Sequence, residues 1–430
     1  MTVATAKNLR QNATGRASAA LPSVIVLNLF HSGLGIARQL AETSVRVVGL
    51  SSNSGIYGNF TRLCEVRRAP DSQEHPHDLV RFLLSMASEV GKAIIFPTRD
   101  ADLVFLDRFR AELDPLYCLA IPEHHVLNRV MDKAALAKIA TDAGIPCPRT
   151  AVVSDLSELI AESQNVGFPC IVKPVKSVHW REGNHWKTIG GRKAFRAENE
   201  IELERQYARI AQVRSEALLQ EWIPGKTEDL VVWGGCVGRG QEPEAWFTAR
   251  KLIQSPGEFG TGSVVASEPL PDLVEPSMRL CFALGYEGIA EIEYKRDPRD
   301  GTLKLIEMNP RHWDWHELGG SSQANITWAA YCRLTGRSAG PVRLPVRKAK
   351  WVAEDVLLRQ VLASFWEHER VASKAWRAIA GERIYGMFAW NDPMPCIRYS
   401  LSTLVPALTA AGVRKIRQRL SSNGNNTRIN

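Results

Sequence analysis

Two apolar-alternating segments, Glu291–Lys295 and Leu303–Asn309, are separated by the turn sequence Asp297-Pro298-Arg299-Asp300-Gly301, and no other feature constrains the fold so tightly. Pro fixes φ, Asp bonds its own backbone and Gly accepts positive φ, so the chain must double back into an antiparallel hairpin. Side chains two apart on a strand share a face. Glu291 and Glu293 therefore lie together, as do Glu307 and Asn309 on the partner strand, while Ile292, Ile306 and Met308 are expected on the opposite, buried face. Three carboxylates and a carboxamide on one face repel unless a cation neutralises them, and hard oxygen donors of this kind suit Mg²⁺, which completes its shell with water and phosphates. The alternative at this point is an exposed sheet face softened by Lys295.

Around the hairpin the chain alternates strands and helices, the pattern of an α/β protein. Val24–Leu27, a Ser32-Gly33-Leu34-Gly35 turn, a helical stretch through Ala41 and a strand at Val45–Leu50 make a βαβ opening. With Ala93–Phe96 and Tyr117–Ile121, residues 22–125 form a small parallel α/β unit. Asp132 caps a helix to Thr141 or Asp142 and puts Lys133 in its first turn, with Gly144 and Pro146 closing it. Strands at Thr150–Val153 and Cys170–Lys173 follow, then a polar, glycine-dotted segment from Val178 to Arg192 expected as a mobile loop. A helix from Glu200 to about Arg214 leads into a strand at Ala217–Ile223. Strands near Val231–Trp233 and Ala245–Lys251 and a helix around Leu273–Leu284 precede the hairpin. Beyond about residue 340 the pattern becomes basic helices carrying Trp351, Trp366, Trp376 and Trp390.

At 430 residues the chain exceeds one ordinary core and suits several packed units. The organisation expected is a disordered tail over 1–21, an N-terminal unit over 22–125, lobes over 126–225 and 226–340, and an extension over 341–430. Eight cysteines without CxxC or finger spacing read as buried thiols of a cytoplasmic protein. The apolar run after the basic residues Lys7, Arg10 and Arg16 is too short for a signal peptide or a membrane span. The net charge of +8 is concentrated towards the C-terminus. It forms no basic stripe interleaved with aromatics, so no nucleic-acid partner is expected. The apolar-then-basic stretch Ser400 to Leu420, with Arg414, Lys415, Arg417 and Arg419, leaves peripheral membrane contact open.

The order of segments from about residue 22 to 335 resembles the ATP-grasp superfamily. It is carried by the Asp132-Lys133 helix start, the Val172-Lys173-Pro174 strand, the Glu221-Trp222-Ile223-Pro224-Gly225 hinge, Glu293, and Glu307-Met308-Asn309-Pro310-Arg311. Through Phe96-Pro97-Thr98-Arg99-Asp100, Arg250-Lys251 and Gly260-Thr261-Gly262 the chain is most similar to the carboxylate–amine ligases, the group that includes D-aspartate ligase. The resemblance implies an N-terminal parallel (pre-ATP-grasp) domain and two α+β lobes clamping ATP. It implies Lys133 and Lys173 on the ATP phosphates, the backbone of Glu221, Trp222 and Ile223 against adenine, and Glu228 on the ribose. Glu293, Glu307 and Asn309 would hold Mg²⁺, with Mn²⁺ as a substitute. Arg311, Arg250 and Lys251 would form a positive wall at the reacting group, and the loop around His179–Gly191 would exclude water. The expected activity joins a small carboxylate, activated as an acyl phosphate, to an amine, in a chain that could pair as a homodimer. A phosphotransferase, a thiol ligase and a non-catalytic nucleotide-binding module are the alternatives.

Two further patterns compete with this reading. The Ser32–Gly35 turn is similar to a dinucleotide fingerprint, although the full GxGxxG and a following acid are missing. His312 and His316 have the i, i+4 spacing of metal ligands, but no HExxH-type set accompanies them, which favours a pocket or structural role. His31, Asp100, His179, Trp313 and Trp315 are further pocket candidates.

Overall fold

The computed structural model describes residues 21–406 apart from 178, 182–183, 214–215, 322, 341–347 and 368–370. The expected tail and the basic run Arg414–Arg419 lie outside the described residues.

Three sheets organise the chain. The first is parallel and five-stranded, in the order Glu65–Arg68, Val47–Ser51, Val24–Leu27, Ile94–Phe96, Cys118–Leu119. Its central strand Val24–Leu27 is buried along its whole length, as a continuous apolar run covered on both faces must be. The second sheet runs Thr150–Val153, Ala217–Glu221, Cys170–Pro174, Phe195–Ala197, all antiparallel. Helices Leu156–Val166 and Glu200–Ile210 pack against it through Leu159, Leu203 and Ile210. The third sheet has seven strands, in the order Leu303–Asn309, Gly288–Arg296, Leu230–Val237, Pro243–Ser255, Thr261–Ser267, Lys350–Val352, Arg383–Tyr385.

The hairpin forms as its turn dictates. Glu291 pairs with Asn309 and Glu293 with Glu307, one face carrying all four polar side chains. One detail departs from strict alternation: the register shifts after Glu293, so Tyr294 faces Leu305 and Ile306 is the extra residue of a bulge. Ile306 was expected on the buried face, but it lines the cleft instead.

Other local expectations meet the same physics. Asp132 accepts from the amides of Ala134 and Ala135 at 3.0 Å and starts the helix Lys133–Asp142. Within the polar segment after Cys170–Pro174, the described residues include the helical turns His179–Arg181 and His185–Thr188, and Trp180 is buried beside Phe195. The stretch past residue 340, expected as helices alone, also adds strands Lys350–Val352 and Arg383–Tyr385 to the large sheet, with Trp351 fully buried. The Ser32–Gly35 turn is in fact the start of the helix His31–Leu40. Its glycines serve packing: a Cβ on Gly33 would sit 2.0 Å from the Asn28 carbonyl oxygen, and one on Gly35 would sit 2.7 Å from the His316 ring.

Candidate functional site

The second and third sheets face each other across a cleft of about 690 Å³. One wall comes from the strand Cys170–Pro174, the hinge after Ala217–Glu221 and the start of the helix at Lys133. The other comes from the hairpin, Lys251 and the segment Arg311–Trp315, with Thr98–Asp100 of the parallel sheet closing one end.

Lys133 and Lys173 both line the cleft. Lys173 Nζ donates to Gln220 Oε1 at 2.8 Å, and Gln220 is itself fixed by Thr150 at 3.0 Å. Lys133 Nζ donates to Ser177 Oγ at 2.7 Å and lies 3.6 Å from Glu307. Burial and the neighbouring Lys133 push the Lys173 ammonium down to about 8. Burial would raise the Glu307 carboxyl, yet Lys133, Lys173 and Lys193 outweigh it and hold it below the ordinary range.

The acids of the hairpin are held in the same way. Lys251 Nζ is bonded to Glu293, and burial of that ammonium is more than offset by Glu293 and Glu291, so its pKa is raised. Glu291 is 5% exposed and accepts from Asn309 Nδ2 at 2.9 Å. Burial raises its carboxyl to about 7 against the opposing pull of Lys251. Among the described residues no three His, Cys, Asp or Glu side chains converge closely enough to hold a metal alone. Two carboxylates and a carboxamide, neutralised by lysines, are nevertheless a donor set that suits Mg²⁺, which draws its remaining ligands from water and phosphate.

Arg311 reaches across to the first sheet. Its Nε and Nη2 both lie 2.7 Å from Asp100 Oδ1, and Asp100 with its neighbours keeps the guanidinium protonated despite burial. Asp314 stands nearby and accepts from Ser32 Oγ at 2.9 Å, which brings the first helix to the end of the cleft.

At the hinge, Glu221, Trp222 and Ile223 all line the cleft. The Glu221 carboxylate points to the hairpin turn, where Arg299 Nη2 donates at 2.6 Å and Lys304 lies 3.4 Å away. Lys295 Nζ donates to the Ile223 carbonyl at 2.8 Å, and Arg196 lies 3.9 Å over the Trp222 ring.

Two expected site residues are not brought together with the rest. Arg250 does not line the cleft: it pairs with Glu268 at 2.7 Å and donates to the Glu228 carbonyl at 2.6 Å. Adjacent residues on a strand point to opposite faces, so with Lys251 in the cleft Arg250 must face away. Glu228 is likewise absent from the cleft wall, which Lys226 and Thr227 contribute instead. Of the further candidates, Asp100, Trp313 and Trp315 line the cleft, whereas His31 and His179 do not. His31 is paired with Asp355 at 3.2 Å.

His312 and His316 are structural. His312 bonds Thr327 at 2.9 Å and His316 Nδ1 bonds the Trp313 carbonyl at 2.7 Å. Burial keeps both neutral, His316 down at about 4. Conversely, Gln220, Lys193 and Lys295 were not anticipated as site residues. Lys193 Nζ reaches Thr261 Oγ1 at 3.2 Å across the cleft mouth. Only pairing across the folded sheets reveals them, since each is an unremarkable polar residue in its own segment.

No family model matches the chain. Among solved structures it is similar to N5-carboxyaminoimidazole synthetase from Staphylococcus aureus complexed with ADP, with TM-score 0.60, 14% identity, and coverage of 82% of this chain and 89% of that one. A biotin carboxylase from Campylobacter jejuni, in complex with β-γ-ATP, aligns with TM-score 0.58 and 17% identity over 75% of this chain and 72% of that one. These likenesses extend over three quarters or more of the chain and show its fold. The chain has the ATP-grasp fold.

Sequence relatives of this chain include D-aspartate ligase of Enterococcus faecium (strain Aus0004), 23% identical over 292 residues, 64% of this chain and 68% of the relative. D-alanine–D-alanine ligase of Pseudomonas entomophila (strain L48) is 28% identical over 183 residues, 42% of this chain. The chain spans only 54% of the length of that second relative.

Proposed function

We propose that the protein is an ATP- and Mg²⁺-dependent ligase that activates a small carboxylate as an acyl phosphate and transfers the acyl group to an amine. The reading rests above all on the cross-strand pair Glu293 and Glu307 facing Lys133 and Lys173 in one cleft. Three of these charged side chains are largely withdrawn from water, Lys133 14% and Glu293 12% exposed and Lys173 buried, with Glu307 38% exposed, an arrangement that is costly unless a ligand of matching charge uses it. A nucleoside triphosphate with a divalent cation has that match, with anionic oxygens for the lysines and a metal for the acids. The relatives named above are a D-aspartate ligase and a D-alanine–D-alanine ligase, and the solved neighbours hold adenine nucleotides, which supports the same conclusion.

A free carboxylate is a poor acyl donor because its leaving group would be oxide. Attack by its oxygen on the γ-phosphorus, with ADP leaving, converts that oxygen into a phosphate leaving group. The amine then adds to the acyl carbon, phosphate departs and a proton is lost from nitrogen. Lys133 and Lys173 hold the phosphates, and Glu293, Glu307 and the Asn309 amide oxygen are the donors for Mg²⁺ or Mn²⁺. When bound, that metal neutralises the phosphate charge and polarises the transferring group. Arg311, braced by Asp100, offers a fork of donors where negative charge develops on the acyl group. Lys193, Trp180 and Trp186 wall the mouth and limit the access of water to the activated acyl group. Ile223 and Trp222 supply the apolar hinge for the purine. Eight free cysteines fit action in the reducing cytoplasm, and no described helix is long and apolar enough to cross a membrane.

The deciding experiment pairs carboxylic acids with amines, amino acids included, and follows ADP release, with the Glu307→Ala protein as blank. ADP formed together with an amide, identified by mass spectrometry, is the expected result. A phosphorylated acceptor or a thioester would turn the assignment to a phosphotransferase or a thiol ligase. ATP binding without turnover in any mixture would leave a nucleotide-binding module.

A further inference from the structure

The helix Met394–Tyr399 continues through the wider turns Ser400–Leu404 on the surface of the N-terminal unit, far in sequence from every cleft residue. Its inner side is anchored. Cys396 and Tyr399 pack on the cluster of Leu34, Tyr57 and Met387, and the Tyr399 and Tyr57 rings meet edge to face at 6.1 Å. Just before it, the buried Asp392 accepts from Thr61 Oγ1 at 2.6 Å and from the Arg62 amide at 3.0 Å. The element is thus held by both ring packing and hydrogen bonds.

Its outer side has the wrong chemistry for water. Met394, Ile397, Leu401 and Val405 recur at helical spacing and are 39%, 43%, 62% and 48% exposed. Such an outward stripe is normally polar. Trp390, 91% exposed, flanks it at the same end of the chain. The ring of Phe60, itself partly exposed, lies under Arg398 at 4.8 Å.

The sequence here carries charge of one sign. From Gly386 onward its only acidic residue is Asp392, whose carboxylate is turned inward, whereas Arg398 on this helix is basic, as are Arg414, Lys415, Arg417, Arg419 and Arg428, which lie outside the described residues. A second copy of the chain would bring the same positive charge against itself. An anionic lipid surface supplies the opposite charge together with an apolar layer for the stripe and an interfacial level for an exposed indole.

We infer that this face, built on Met394, Ile397, Leu401 and Val405 with Trp390 beside it, docks the protein on anionic lipid bilayers. The inference stands apart from the ligase reading: docking requires none of the cleft residues, and a non-catalytic protein would dock equally well.

The test uses the full chain and vesicles of phosphatidylcholine alone or with about one quarter phosphatidylglycerol. The wild-type protein should co-sediment with the anionic vesicles, release in high salt and ignore the neutral ones. The pair Ile397→Asp and Leu401→Asp should lower the affinity at least about tenfold, because two apolar anchors are lost and two negative charges gained. Basal ADP release should be unchanged, since both residues lie outside the cleft. If the aspartate protein loses its far-ultraviolet helical signal, the milder Ile397→Ser and Leu401→Ser pair decides in its place. Quenching by brominated lipid that disappears in Trp390→Phe would place the indole in the bilayer. Failure of the wild type to bind anionic vesicles overturns the inference. So does equal binding by the folded variants, which would put any lipid contact elsewhere, and so does a self-association in lipid-free buffer that these substitutions abolish.

Discussion

Arg311 and Asp100 are 211 residues apart in sequence, yet both Nε and Nη2 of the guanidinium lie 2.7 Å from one carboxylate oxygen, joining the hairpin lobe to the parallel sheet at the edge of the cleft. Nη1 donates to the His312 carbonyl at 3.1 Å, and the guanidinium so held lines the cleft. Removing a donor that faces developing negative charge costs about 10²- to 10³-fold in kcat, so Arg311→Ala should lose that much. Asp100→Asn keeps the shape but loses the charge that orients Arg311. It should lower kcat about tenfold while leaving the KM for ATP unchanged. Steady-state ADP release separates the two effects; an equal rise in the KM for ATP would mean that Asp100 acts on the nucleotide site instead.

Lys251 and Glu293 form an ion pair in the cleft, with side chains only 7% and 12% exposed. Breaking such a pair from one side leaves a buried charge uncompensated, at a cost of about 3–5 kcal/mol. Glu293→Gln should therefore lower the urea midpoint sharply. Adding Lys251→Met to it should recover most of the loss. With Glu293 in its proposed metal role, neither protein should turn over, because a neutral amide oxygen replaces the carboxylate donor. If the single and double variants unfold alike, Lys251 is solvated from the cleft and the pair contributes little to stability.

These two pairs also mark what the sequence could and could not convey. The hairpin acids were legible because period-two alternation and an Asp-Pro-Arg-Asp-Gly turn fix which side chains share a face. Lys133 was legible through its Asp132 cap. Asp100 could be named as a pocket candidate, but its partner could not, since only tertiary packing joins segments so far apart. The same alternation separates Arg250 from Lys251, so a strict reading of the strand would have parted them. Strands of three residues, such as Lys350–Val352 and Arg383–Tyr385, are too short to show any period. The bulge at Ile306 inserts one residue with no turn-forming signature, which hid its exposure to the cleft.

Lys173 sets a pH dependence. Its ammonium titrates near 8 in the folded protein against an ordinary value of 10.5, so between those values the unfolded chain binds the extra proton. Stability from this group therefore rises with pH across that window, by up to about 1.4 kcal/mol per unit. Lys173→Met removes that contribution, and the difference between wild type and variant in urea titrations from pH 7 to 10 isolates it. Function runs the opposite way. With Lys173 in its proposed role on the ATP phosphates, the KM for ATP should climb as pH passes 8 in the wild type and stay flatter in Lys173→Arg. A difference curve without slope above pH 8 would mean that Lys173 keeps its proton and is well solvated.

Gly35 distinguishes packing from nucleotide recognition in the first helix. A Cβ there would lie 2.7 Å from His316 Cε1 and 3.1 Å from its Nε2, and that ring is buried and held by the Trp313 carbonyl. The ring cannot retreat without disturbing Trp313, which stacks with Phe247 in the core between the sheets. Overpacking of this kind costs about 1–3 kcal/mol. Gly35→Val should therefore lower the thermal midpoint by several degrees, and Gly35→Ala by less. His316→Ala in the Gly35→Val background should restore part of the loss by opening the space the ring occupies. Nicotinamide dinucleotides should leave the midpoint of the wild type unmoved. A wild-type midpoint raised by such a dinucleotide, combined with an unaffected Gly35→Val, would return the Ser32–Gly35 segment to a ligand-binding role.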